Sequence, residues 1–272
     1  MKIRTYTLAL CALLLASPLS AVIVIEDFEA ATPGADIGTL TGWTENTAAN
    51  LTMDIAADPA DALNQVLRVN VSGAIGSGQS GAWRTTGTSI ATSSTAATLF
   101  FQIRFENDTV NDRAFAGLSA ASEAQLAAST DFDQAAAYAG GITSGGGFGA
   151  RDGGTTLSTG NPAADTWYNI WLVVNNSTET YDVYINSGAV AATAGDLIWD
   201  DNEFRTGADG IPGPLDKLIV LATGSSTGVT YLDNFILDDS AANLNYQLVP
   251  EPSAWALILG VAGGLMLLRR RR

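Results

Sequence analysis

Two adjacent segments constrain the fold more than anything else in this chain: Trp167-Tyr168-Asn169-Ile170-Trp171-Leu172-Val173-Val174 and Thr180-Tyr181-Asp182-Val183-Tyr184-Ile185, separated by the polar stretch Asn175 to Glu179. Both are dense in β-branched and aromatic residues, and a short Asn/Ser/Thr connection between two such runs reads as a β-hairpin. The first arm is apolar on both faces, which suits a central strand with material packed on each side. The second alternates, with Asp182 among aromatics. An isolated hairpin cannot bury such surface, so these residues require a second layer of structure.

The remaining chain supplies it in short runs bounded by Gly, Asn, Asp and Ser. Val22 to Glu29 opens with a β-branched strand and ends at the turn Thr32-Pro33-Gly34. Further strands are expected at Leu51–Ile55, Val66–Val71, Ala82–Thr85, Thr98–Phe105, Phe115–Ser119, Leu218–Thr223 and Val229–Leu237. In Val66-Leu67-Arg68-Val69-Asn70-Val71 the polar residues recur with the period of two of a half-buried strand. Ala120 to Ala128 reads as a short helix or a loop crossing the sandwich edge, and Trp199-Asp200-Asp201-Asn202-Glu203 as an acidic loop. Gly145-Gly146-Gly147 is no phosphate loop, since no Lys-Ser or Lys-Thr follows it.

Many short strands with glycine-rich turns argue for an all-β sandwich. The hairpin, with its Tyr181-Asp182-Val183-Tyr184-Ile185-Asn186 arm, and the closing Tyr231-Leu232-Asp233-Asn234-Phe235 resemble the concanavalin-like, laminin-G-like jelly rolls over residues 22–240. That resemblance implies a jelly-roll β-sandwich, a fold that hosts lectins, glycosidases, adhesion modules and structural domains alike.

The two ends carry address information. Lys2 and Arg4 precede the apolar run Leu8 to Ala16 and the small-residue exit Ser17-Pro18-Leu19-Ser20-Ala21, the layout of a secretory signal peptide over residues 1–21, with cleavage expected after Ala21. The lone Cys11 lies inside the apolar run, so the mature chain holds no thiol and no disulfide. After an expected linker at 241–248, residues 249–272 comprise Val249-Pro250-Glu251-Pro252-Ser253, the apolar run Ala254 to Leu268, and Arg269, Arg270, Arg271 and Arg272. A helix over that run reaches about 22 Å, short of the roughly 30 Å hydrocarbon core. Trp255 at one interface and snorkelling arginines at the other extend it, and the Arg cluster favours the cytoplasmic side. These residues, in this order at the extreme C-terminus, resemble the PEP-CTERM sorting signal of exported bacterial proteins. The resemblance implies a signal helix and a C-terminal transmembrane helix flanking the sandwich, and processing by an exosortase-type transpeptidase. It also implies transient anchoring in the cytoplasmic membrane, then delivery to the cell surface or the extracellular matrix of a biofilm. An ordinary C-terminal anchor is the alternative.

Composition limits the chemistry. From Ala21 to Pro250 there are 27 acidic and 7 basic residues, a net charge of −20, which repels nucleic acid and anionic lipid. Histidine is absent, which with the missing thiol excludes Ser-His-Asp and Cys-His catalysis and the common zinc sites. Carboxylates and oxygen-ligated metals remain. Because the first and last strands of related sandwiches meet, Glu26, Asp27 and Glu29 with Asp233 or Asp238 are candidate calcium ligands, set against a simply solvated acidic surface. Trp43, Trp83, Tyr138 and Trp199 lie near expected loops and are candidates for stacking on glycan rings, whereas Trp167 and Trp171 share a strand face and read as core. No Glu-x-Asp-x-x-Glu strand of the jelly-roll glucanase type is present, so the reading is a non-enzymatic surface or matrix protein that binds extracellular polysaccharide. A glycoside hydrolase or lyase using a carboxylate pair is the alternative.

Overall fold

A computed structural model describes residues 22–107, 113–128, 134–141, 147–188, 191–205, 212–224 and 227–246. The segments expected as a signal peptide, residues 1–21, and as a sorting tail, with Val249 to Ser253, Trp255 and Arg269 to Arg272, lie outside these residues. Among the described residues no helix is long and apolar enough to cross a membrane. In chain order the strands are β1 (Val22–Glu26), β2 (Trp43–Asn46), β3 (Leu51–Ala57), β4 (Gln65–Val71), β5 (Gly76–Ile90), β6 (Ala97–Phe105) and β7 (Arg113–Ser119). One helical turn and a half, α1 (Glu123–Ala128), precedes β8 (Ala137–Gly140), β9 (Gly149–Asp152), β10 (Thr155–Ser158), β11 (Trp167–Asn175), β12 (Thr180–Asn186), β13 (Leu197–Glu203), β14 (Leu215–Gly224) and β15 (Gly228–Asp238).

These strands form two antiparallel sheets. One has eight strands in the order β13-β12-β11-β6-β15-β4-β3, with β1 also paired to β15; the other has seven, β10-β9-β8-β7-β14-β5-β2. All the runs expected to be strands form strands, the first stopping at Glu26 rather than Glu29, and the hairpin pairs Asn175 with Thr180 across its expected turn. The segment expected as an acidic loop at Trp199 to Glu203 is instead edge strand β13, in which Val183 faces Trp199 and Thr180 faces Glu203. An edge strand needs no continuous apolar face, and charges along it oppose pairing with another chain, so acidity there fits a strand as well as a loop.

The core between the sheets is asymmetric. The eight-stranded sheet contributes large side chains, among them Leu99, Phe101, Ile103 and Phe105 of β6, Ile170 and Leu172 of β11, and Leu232 and Phe235 of β15. The seven-stranded sheet answers with a mixture, the small Ala82, Ala114, Ala116, Ala137, Ala139 and Ala150 beside the larger Trp43, Leu118, Leu218 and Val220. Small residues opposite large ones fill the space between the sheets at native density. The outer face of the seven-stranded sheet is also buried: Trp83, Phe115, Tyr138, Ile219 and Leu221 lie under a cover that includes Ala121, Leu126 of α1 and Ala135. Close approach of strands requires Gly117, whose neighbours are Tyr138 on β8 and Ile219 on β14. A Cβ there would stand 2.7 Å from the Tyr138 Cα and closer still to the Ala137 carbonyl oxygen. Gly117→Ala is therefore expected to destabilise the fold by about 2–3 kcal/mol, and an unchanged urea midpoint would refute this account of the sheet.

Strand β15 has two neighbours along one edge. Residues 228–232 pair with β4, and 235–238 pair with β1. At the junction Asn234 adopts a left-handed conformation (φ 55°) and the register with β6 shifts between Asp233 and Ile236, a bulge that turns Phe235 into the core. Asn is one of the few residues that tolerate this conformation at low cost.

Candidate functional site

The outer face of the eight-stranded sheet is laid out in cross-strand rows. In the first, Asp54 on β3 pairs with Arg68 on β4, Arg68 with Tyr231 on β15, Tyr231 with Arg104 on β6, and Arg104 with Trp167 on β11. Five neighbouring strands at about 4.8 Å spacing place these side chains along roughly 19 Å. Two residues further along, the second row is Asp233, Gln102, Asn169 and Asn186. The third is Ile236, Phe100, Trp171 and Tyr184. The face thus passes from charged, through amide, to aromatic.

The rows differ in how they are covered. Phe100, Trp171 and Ile236 are buried beneath Tyr246, with Ala192 and Leu244 beside them, so the stretch expected as linker packs on the sheet over residues 241–246. Thr98 fastens it: the Thr98 hydroxyl donates to the Ala241 carbonyl at 2.9 Å and accepts from the Asn243 amide at 2.8 Å, and the Tyr246 hydroxyl donates to the Thr98 carbonyl at 3.2 Å. The amide row lies beyond this strap, where Gln102, Asn186 and Asn234 are half-exposed.

The amides form one directed relay. Asn234 Nδ2 donates to Gln102 Oε1 at 2.7 Å, Gln102 Nε2 to Asn169 Oδ1 at 2.8 Å, Asn169 Nδ2 to Asn186 Oδ1 at 3.3 Å, and Asn186 Nδ2 to the Ala191 carbonyl at 3.2 Å. Each amide holds its neighbour's orientation, so those at the surface present a fixed pattern of donors and acceptors. At one end stands Asp233, which accepts from Asn64 Nδ2 at 3.1 Å and from the Asn234 backbone amide at 2.7 Å. Burial pushes the Asp233 carboxyl up to about 8; the hydrogen bonds from Asn64 and Asn234 oppose that rise, and the nearby charges of Glu29 and Asp27 add to it.

In the charged row Arg68 grips Asp54 with two contacts, Nε at 2.9 Å and Nη2 at 2.5 Å, and this pairing raises the guanidinium above its ordinary range. Arg104 bonds Asp165 through Nη2 at 2.6 Å, with its Cζ 5.3 Å from the centre of the Tyr231 ring. Burial pushes the Tyr231 phenol up, so it remains a neutral phenol near pH 7. Trp167 is half-exposed, and its Nε1 donates to Asp58 Oδ2 at 3.1 Å.

Against this layout the candidates from the sequence fare unevenly. Of the five carboxylates proposed for calcium, Asp27 and Glu29 lie near enough to Asp233 to raise its carboxyl, but the five do not converge on one point. Glu26 is ion-paired to Arg84 and accepts from Trp43 Nε1 at 3.1 Å, Asp27 caps the Glu29 amide, Glu29 accepts from the Gln65 amide, and Asp238 lies past the bulge bonding Ser240 and Asn243. Among the described residues no three Asp, Glu, His or Cys are arranged to hold a metal, so the residues present do not fit the calcium cage. Trp43, at 5 % exposure, stacks on Phe28; Trp83 is 2 % exposed and Tyr138 fully enclosed on the opposite sheet; Trp199 is half-buried on the edge strand and packs against the core. Three of the four proposed stacking residues are thus corrected to packing roles. Trp167 and Trp171 do share a strand face, but it is the outer face, and Trp167 reaches the surface on the charged side of the amides as Tyr184 does on their aromatic side. The signal that could have found this site is in β6 itself, where Gln102 and Arg104 interrupt an otherwise apolar strand at alternate positions.

No protein-family model and no curated protein matches the chain. Solved structures do. A sialidase matches with TM-score 0.53 and 13 % identity over 82 % of this chain, which spans 19 % of the sialidase's length. The T. cruzi calreticulin globular domain matches with TM-score 0.53 and 14 % identity, covering 81 % of this chain and 89 % of that domain. The catalytic domain of the glycoside hydrolase family 131 protein from Coprinopsis cinerea matches with TM-score 0.53 and 12 % identity, covering 83 % and 98 %. At these identities the likeness is one of fold, and the chain is an all-β, two-sheet antiparallel sandwich of that architecture.

Proposed function

We propose that the chain is an exported surface or matrix protein whose sandwich binds glycan on the outer face of the eight-stranded sheet. The observation that carries the reading is the oriented amide relay of Asn234, Gln102, Asn169 and Asn186 beside the half-exposed Trp167. Sugar recognition calls for that combination: an apolar ring against which a pyranose face can stack, next to fixed donors and acceptors that replace water on its hydroxyls. The fold likeness to a sialidase and to a glycoside hydrolase catalytic domain, both named for acting on sugars, supports such a use. In affinity electrophoresis through gels of matrix polysaccharide, Trp167→Ala is expected to weaken retardation at least about tenfold, the size of a buried aromatic hot spot. Equal mobility of the wild type with and without every polysaccharide would end the reading.

Delivery belongs to the tail. The signal peptide exports the domain, and Val249 to Ser253 with the following helix and Arg269 to Arg272 hold it in the membrane for an exosortase-type transpeptidase. Mass spectrometry of the mature C-terminus from cells with and without the sorting enzyme tests this, and a retained Arg tail in both would leave only a simple anchor.

A second reading, hydrolysis, draws on one observation. Asp233, held toward its neutral form at about 8, has the character of a general acid, and Asp58 or Asp165 would have to supply the opposing carboxylate. Asp233 is 2 % exposed at the end of the relay and already engaged by Asn64 and Asn234, too enclosed to meet a glycosidic oxygen, so binding is preferred. Release of reducing ends by the wild type and not by Asp233→Asn would reverse that preference.

A further inference from the structure

Resting on the glycan-binding reading above, we propose that the ligand is an acidic polysaccharide, a chain of uronic acids, with one sugar carboxylate taking the place of Asp165 on Arg104. The domain is strongly acidic and has only seven basic residues between Ala21 and Pro250, yet two of them, Arg68 and Arg104, flank one ring, Tyr231, in a single cross-strand row. Arg68 is satisfied by its two contacts with Asp54. Arg104 is not: it is 6 % exposed, and its Nε and Nη1 have no hydrogen-bond partner. A buried guanidinium with unmet donors costs on the order of 1–3 kcal/mol per group, more where charge is involved. A structure retains such a group where something else completes it.

What completes it now is incomplete and lightly held. Asp165 reaches Nη2 through one oxygen, and its side chain is 64 % exposed where that of Arg104 is 7 % exposed. Asp165 lies in an exposed turn, with a left-handed backbone at φ 58° and one backbone bond, to the Phe105 carbonyl. Only the Asp165 half of this pair is exposed, so Asp165 itself loses little by rotating into water, and the cost of baring the buried guanidinium is offset by the carboxylate that replaces it. That rotation frees Nη2 of Arg104, which is paired across the strands with Trp167, and a carboxylate with two acceptor oxygens matches a guanidinium better than a hydroxyl can, because it pairs the charge as well as the donors. The pyranose ring of the same residue falls against Trp167, and the next sugars run toward Gln102, Asn186 and Asn234. The general negative field of the domain slows the approach of such a polymer. It also selects against polyanions that lack a sugar face for Trp167, since attraction is confined to this spot.

The test is calorimetric titration of the full chain with polygalacturonate and polyglucuronate, each beside its methyl ester, with dextran and a β-glucan as neutral references. The expected result is binding of at least one acid form at least tenfold tighter than its ester. Asp165→Asn should tighten the acid form several-fold and leave the ester unchanged, because the competing carboxylate is gone while the turn is kept. Arg104→Gln should remove the preference for acid, and Arg104→Lys, which restores the charge, should recover part of it; melting curves exclude variants that fail to fold. Equal affinity for acid and ester, or binding to the neutral references alone, overturns the acidic class and leaves the glycan reading standing. No binding to any of the polymers overturns both.

Discussion

The protein should lose stability steadily as the pH is raised from about 4 to about 8, and Asp233→Asn should abolish the larger part of that loss, Glu45, whose carboxyl burial raises to about 7, supplying part of the rest. Asp233 has its carboxyl raised from 3.8 to about 8, with burial as the largest cause. Below pH 3.8 both the folded and the unfolded chain carry the proton, and the residue contributes nothing to the difference. As the pH rises, the unfolded chain releases its proton first, so the unfolded state gains ground until the folded carboxyl also ionises near pH 8, above which the difference stays constant. The interval corresponds to on the order of 5 kcal/mol. That is large against the 5–15 kcal/mol by which domains are ordinarily stable. Asparagine keeps the shape and carries no charge at either pH, so urea midpoints of the variant measured at pH 5 and pH 8.5 should lie much closer together than those of the wild type. Parallel slopes in the two proteins would show that Asp233 is comfortably ionised by Asn64 and Asn234, and that the hydrogen bonds outweigh burial.

That environment is one the sequence expresses only in part. Tyr231-Leu232-Asp233-Asn234-Phe235 is legible as a closing strand, and Asn234 as a residue suited to an irregular position. What cannot be read locally is that β15 changes partner at this point, from β4 to β1, leaving a gap in the ladder that Asn64 and the loop carrying Asp27 and Glu29 fill. The same limit separates the successes from the failures elsewhere. The period of two in Val66 to Val71 and the hairpin from Trp167 to Ile185 are local, and both stand as read. Whether an aromatic at a loop edge is exposed depends on what crosses over it. Trp83 and Tyr138 lie beneath a cover that includes Leu126, and Trp171 beneath Tyr246, in each case a contact distant in sequence. The arginines show the same asymmetry. Alternation places Arg68 and Arg104 on outer positions of their strands, but only the order β4-β15-β6 brings them to either side of Tyr231.

Truncating the chain after Asp239 should cost more stability than any single substitution in the strap, whereas truncation after Gln247 should cost almost nothing. Residues 240–246 are the sole described cover over Phe100, Trp171 and Ile236 apart from Ala192 and the flanking Tyr184. Tyr246 lies 5.3 Å from Phe100, ring centre to ring centre, and its removal alone should cost about 3–4 kcal/mol, the range for emptying a buried aromatic site. Removing the whole strap also strips the Ala192 amide of its bond to the Leu244 carbonyl and Thr98 of its partners, and bares the aromatic row on an open sheet face. The shorter truncation product should therefore bind a hydrophobic dye and aggregate, and the longer one should melt like the intact domain. Under the sorting reading proposed above, the strap also limits where the tail can be cut. Only Gln247 and Leu248 separate Tyr246 from Val249, so a transpeptidase acting at or beyond Val249 leaves the strap with the sandwich, while a cut even five residues earlier would discard Leu244, Asn245 and Tyr246. The mature C-terminus should thus lie beyond Tyr246, and a native-like product ending before Leu244 would show that the strap is dispensable.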